Sequence, residues 1–242
     1  MLTLVVLFLI ALGAGALGGV VGTGSSLILL PILVMTDGPR VAVPVMAIAS
    51  IVGNVAKVAA WRNMIQWRPV LVYAIPGTPA AVLGAHTLMI VPPRLIDGLL
   101  AVFFLAMIPL RRLASARQWR VRLWQMAFAG AAVGFLTGLI LSTGPMSVPI
   151  FTGYGLSGGA FLGSEAAAAV VLYVGKTATF GEMNALDATM IVHGLVIGSA
   201  MAIGPFMVRG LVRRATPRTY ALLIDAVLVV AACGMLISAV KH

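Results

Sequence analysis

Charge is what this chain has least of. Asp, Glu, Lys and Arg together make up 9% of its 242 residues, against about 25% in a soluble domain. So few charges cannot coat a solvated surface, and an ordinary water-soluble domain is excluded. Acidic residues are the scarcer kind: six, against 16 Lys and Arg, for a net charge of +10. The arginines stand in short clusters between apolar runs: Arg62 and Arg68; Arg111, Arg112, Arg117, Arg120 and Arg122; Arg209, Arg213, Arg214 and Arg218. No soluble basic face remains to carry a nucleic acid, which removes that class of partner. A single cysteine, Cys233, excludes an internal disulfide and reads as a small packing residue. His86 and His193 have no second His, Cys or carboxylate at ligand spacing, so neither a metal nor a cofactor is expected. No Ser/His/Asp, zinc or phosphate-loop constellation is legible either, which argues against an enzyme.

What is present is apolar. Hydrophobic residues make up 61% of the chain and the mean hydropathy is +1.11. The apolar runs are about 20 residues long and do not alternate, so helices are the spanning element of an all-α polytopic membrane protein. Eight apolar segments can be drawn: Leu2–Met35, Val41–Trp61, Val70–Val91, Leu95–Leu110, Leu123–Phe151, Ala160–Phe180, Ala188–Val208 and Thr219–Val240. The first has no basic residues before it and is expected to be a retained membrane segment rather than a leader. The first and fifth would, as straight helices, overshoot a bilayer core of about 30 Å. Each is expected to break.

The expected break points carry the chain's most informative pattern. Gly22-Thr-Gly-Ser-Ser-Leu-Ile-Leu-Leu-Pro31 in the first segment is echoed by Ile140-Leu-Ser-Thr-Gly-Pro-Met-Ser-Val-Pro149 in the fifth. Three further correspondences follow in order. Trp61-Arg-Asn-Met-Ile-Gln-Trp67 resembles Gly181-Glu-Met-Asn-Ala-Leu-Asp187, with Asn63 opposite Asn184. Pro76-Gly-Thr-Pro-Ala resembles Ile197-Gly-Ser-Ala-Met. Pro93-Arg-Leu-Ile-Asp-Gly-Leu-Leu resembles Pro217-Arg-Thr-Tyr-Ala-Leu-Leu-Ile. Two homologous halves, residues 1–114 and 119–242, are therefore expected within one membrane domain. If each broken segment folds back on its own side, all three arginine clusters share one face and the acidic loop with Glu182 and Asp187 takes the other. Arg40, Arg94 and Lys241 are the exceptions. Each half then crosses an odd number of times, and the two are inverted relative to one another, an arrangement that suits alternating access.

Small residues let backbone leave the helical path and approach a ligand, and a helix restarted after a break points free N–H groups and a positive dipole end at an anion. Gly22, Gly24, Ser25 and Ser26 in the first motif, and Ser142, Thr143 and Gly144 in the second, are the expected anion-binding residues. The competing reading is close helix packing, which small residues also serve. Lys57 and Lys176 lie at near-equivalent places late in the next helix. Each could attract an anion, or snorkel to the nearby interface; Lys57 reads more as the latter. Asn54 and Tyr173, one turn earlier, could donate to an oxyanion or serve packing. His193 could couple to protons or sit packed. Asp97 reads as a local partner of Arg94. If protons drive transport, Asp225 and Glu165 are the acids to test.

At these motifs the sequence resembles the TauE/SafE family of membrane permeases, often called sulfite exporters. The family's mark is Gly-x-Gly-Gly-Gly-x-x-x-x-Pro near the start of each half. Gly22, Gly24 and Pro31 keep it, Ser25 and Ser26 replace two glycines, and the second copy keeps Gly144 and Pro149. Asn63-Met-Ile-Gln-Trp67 is similar to the family's Gly-x-(Ile/Val)-(Asp/Asn)-Trp turn. The resemblance implies an inner-membrane permease for small anions such as sulfite, organosulfonates including sulfoacetate, thiosulfate or small carboxylates, with the motifs at the central site. The partners expected are that anion, the lipid bilayer and, as an open alternative, a second copy in a homodimer. A passive anion channel is the rival.

Overall fold

The computed structural model describes residues 2–21, 24–92, 120–140 and 144–207, with single positions between 95 and 113. Its described elements are helical, with no strand among them. They are labelled here α1 (Leu2–Val21), α2 (Gly24–Asp37), α3 (Pro39–Trp61), α4 (Trp67–Ile90), α5 (Leu123–Ile140), α6 (Gly144–Gly153), α7 (Gly158–Glu182) and α8 (Ala188–Met207). A 3₁₀ turn, Arg62–Met64, joins α3 to α4. Among the described residues, four helical stretches are long and apolar enough to cross a membrane: Pro39–Met64, Trp67–Ile90, Gly158–Glu182 and Ala188–Met207. The protein is an all-α, multi-pass membrane protein.

Both over-long segments form two described helices at their motifs: α1 runs to Val21 and α2 from Gly24, α5 to Ile140 and α6 from Gly144. Gly and hydroxyl residues are poor helix formers, so the run is weakest there. The chain then turns back. A Cβ on Gly18 would lie 2.8 Å from Ser25 Oγ and 3.1 Å from Ser25 N, whereas seven residues of continuous helix span about 10 Å. In the second half the Val121 N–H donates to the Gly153 carbonyl at 2.9 Å, so the end of α6 returns to the start of α5. Pro31 and Pro149 are carried inside α2 and α6.

Helix directions follow from which residues meet. Gly130 approaches Tyr73, Gly134 approaches Gly77 and Gly138 approaches Ala81 and Gly84, so α4 and α5 run parallel. Gly194 meets Val45 and Ile48, and Gly198 meets Ala49 and Val52, so α3 and α8 also run parallel. Leu172 touches Gly77 and Gly175 touches Thr78, while Ser164 Oγ accepts from the Gln66 N–H at 2.8 Å; α4 and α7 are parallel too. Between α3 and α7 the order reverses. Trp61 packs on Gly159 and Gly163, and Ser50 hydrogen-bonds Tyr173, so these two helices are antiparallel. Contacts pair off across the chain: α1 packs on α8 as α5 does on α4, and α3 on α8 as α7 does on α4. Each broken helix thus leans on the last described helix of the other half. The Gly130, Gly134 and Gly138 row, one residue per turn, is what lets the α4 and α5 backbones approach.

Candidate functional site

The two breaks and the antiparallel α3–α7 pair converge on one central cavity. Ser25 and Ser26, in the first turn of α2, line it, as does Gly144, the first residue of α6. Two helix N-termini, one from each half, therefore aim positive dipole ends at the same space. α3 contributes Ser50, Asn54 and Lys57, a polar row at i, i+4 and i+7 on one face. α7 contributes Glu165 and Tyr173, α4 Tyr73, α5 Thr137 and α6 Ser147. Lys57 and Glu165 are the only charged lining residues among the described residues. The cavity admits water centres over about 40 Å³. On that measure one water needs about 10–15 Å³, so three waters or one small oxyanion fit.

The hydrogen bonding within the lining is incomplete. Ser147 Oγ donates to Glu165 Oε1 at 2.9 Å, with the Gly144 carbonyl also at 2.9 Å. Glu165 Oε2 is buried with no hydrogen-bond partner among the described residues. Asn54 Nδ2 donates to the Ser50 carbonyl at 2.8 Å, and its Oδ1 is likewise buried and unsatisfied. Lys57 and Glu165 lie within electrostatic reach of one another, at 8% and 6% exposure. Burying either charge alone would be costly; facing each other across a polar cavity, they offset part of that cost.

Of the residues singled out in the sequence, Ser25, Ser26, Asn54, Gly144, Tyr173, Lys57 and Glu165 share this cavity. Gly24 opens α2. Gly22, Ser142, Thr143 and Asp225 lie outside the described residues. His193 is half-buried on α8 and is not among the lining residues. Lys176 is also absent from the lining. It is fully buried, donates to the Thr137 carbonyl at 2.6 Å and stands 5.4 Å from the Phe180 ring centre. Thr137 lies in the last described turn of α5. The Lys176 side chain thus ties α7 to the backbone of α5. Ser50, Tyr73, Thr137 and Ser147 went unnoticed in the sequence. The first had a legible signal, its i, i+4, i+7 spacing with Asn54 and Lys57; Tyr73, Thr137 and Ser147 are brought in by tertiary packing.

The family model described as "Sulfite exporter TauE/SafE" matches residues 7–235. A "Probable membrane transporter protein" of Xylella fastidiosa is 29% identical over 143 residues, covering 54% of this chain and 55% of that protein. The chain thus matches about half the length of that relative. No solved structure matches.

Proposed function

We propose that this chain, which belongs to the sulfite exporter TauE/SafE family, carries a small oxyanion across the membrane by alternating access. Sulfite and organosulfonates such as sulfoacetate are the preferred substrates, and the bacterial inner membrane is the location, where the arginine clusters would face the cytoplasm. The observation that carries this reading is the central cavity: both broken helices, Lys57 and a ring of hydroxyls meet there. Hydrogen bonds from fixed donors can replace an oxyanion's water shell without a metal. Ser25 and Ser26 supply such donors from the first half, and the N-terminus of α6 supplies N–H groups from the second. The volume suits a small oxyanion and excludes long organic tails in this conformation.

Inverted halves support the alternating mechanism. The equivalent helices α3 and α7 are antiparallel, and since α8 follows α3 and α4 follows α7, the equivalents α4 and α8 oppose each other too. A site held between opposed equivalents can be exposed to either side when the halves exchange conformations. Uptake of labelled sulfite into liposomes containing the purified protein tests the mechanism. A carrier gives uptake that saturates with sulfite concentration and accelerates when unlabelled sulfite is trapped inside. Current that stays linear in driving force, without saturation, would identify a channel and overturn the carrier reading.

A further inference from the structure

The cavity proposed to hold the anion contains a fixed negative group. Glu165 is the only acidic lining residue among the described residues, and it comes from the half opposite to Lys57. Its Oε1 is held by Ser147 at 2.9 Å, while its Oε2 is buried and has no hydrogen-bond partner among the described residues. An anion-binding wall with a carboxylate in it invites a question of charge balance. With the cavity empty, ionised Glu165 and protonated Lys57 sum to zero. Adding a monovalent anion would leave one net negative charge buried, with two like charges in a cavity of about 40 Å³, an arrangement that low-dielectric surroundings strongly disfavour. A proton on Glu165 restores neutrality. It also turns Oε2 from an orphaned acceptor into a donor, which is what a neighbouring oxyanion needs.

We infer that Glu165 serves as the internal counter-anion of Lys57 when the site is empty, and takes up one proton from solution when a substrate anion replaces it beside the ammonium. Anion and proton then bind together and travel together, one to one for a monovalent substrate. The proton goes to the Glu165 carboxylate and leaves with the anion on the far side. The other groups facing Glu165 are Lys57 from α3, Tyr73 from α4, Tyr173 on α7 itself, and the non-titrating Thr137 of α5 and Ser147 of α6. None is a second carboxylate, so the proton has one acid to occupy among the described lining residues.

This inference rests on the proposed anion site, and the test separates the two. Purified protein in weakly buffered, sodium-free choline solution is titrated with methanesulfonate and with acetate, both fully ionised near neutral pH, while a pH indicator reports proton uptake. The wild-type protein is expected to take up about one proton per anion bound, with a Kd that rises toward about tenfold for each unit of increasing pH. Glu165→Gln is expected to take up none, to lose the pH dependence and to bind more tightly than wild type at alkaline pH. Wild-type binding without proton uptake, proton uptake that persists in Glu165→Gln, or binding that requires sodium would overturn the inference while leaving the anion site standing. Failure of both anions and of sulfite to bind would overturn the site itself, and the inference with it.

Discussion

Lys57 and Lys176 occupy near-equivalent places in the sequence and do different work. Lys57 faces the polar cavity opposite Glu165, whereas Lys176 donates to the Thr137 carbonyl of α5. The consequences of removing them should therefore diverge. Lys176→Gln gives up a hydrogen bond from a charged donor, a loss of about 1.5–3 kcal/mol; its melting temperature should fall while anion affinity changes by less than about threefold. Equal losses of affinity in Lys176 and Lys57 variants would contradict the division of roles. Ser25→Ala removes a hydroxyl that lines the proposed anion site and should leave the fold intact. Affinity measured by calorimetry should weaken about tenfold, as a lost hydrogen bond to a charged group implies. Neither lysine's role could be read from the chain. Snorkelling and cavity-facing lysines look identical in an apolar run, and the partner of Lys176 is a backbone carbonyl, which leaves no trace in residue type.

At the scale of helices, what the sequence made legible was length and its interruption. Two runs too long for a bilayer, each with small residues at its middle, give α1–α2 and α5–α6. The end points of α7 and α8 also fall within two residues of the apolar segments that announce them. Packing was less legible, because glycines that allow close approach and glycines that face open space are the same letter. The structure separates them. A Cβ on Gly134 would collide with the backbone of Gly77, while one on Gly13 meets nothing within 4 Å. Gly134→Ala should thus destabilise the protein by about 1–3 kcal/mol through overpacking. Gly13→Ala should stabilise it by about 0.5–1 kcal/mol through reduced chain entropy. Thermal melting of both variants in detergent checks the contrast, and a stable Gly134→Ala would show that α4 and α5 are not in backbone contact.

For the whole molecule, the antiparallel α3 and α7 set the loop around Asn63 and the loop around Gly181 at opposite ends. Both positions are exposed, and Gly181 has open space where a side chain would start. With the arginine clusters inside, Asn63→Cys should react with membrane-impermeant maleimide only after the cytoplasmic face is opened. Gly181→Cys should react in intact cells. Labelling of both from one side would refute the inverted arrangement. The same arrangement explains why the cavity is shared: each half supplies one helix N-terminus and one member of the charged pair, and neither half alone encloses the site. Anion-dependent stabilisation of the purified protein tests that shared site most directly, using sulfite, thiosulfate, sulfoacetate and acetate in turn. At about 100 times its Kd a bound anion should add roughly 2.7 kcal/mol of stability. That gain should vanish in Lys57→Gln combined with Glu165→Gln, which leaves no unbalanced buried charge. No stabilisation by any of the four, or the same stabilisation in the double variant, would contradict an anion site in this cavity.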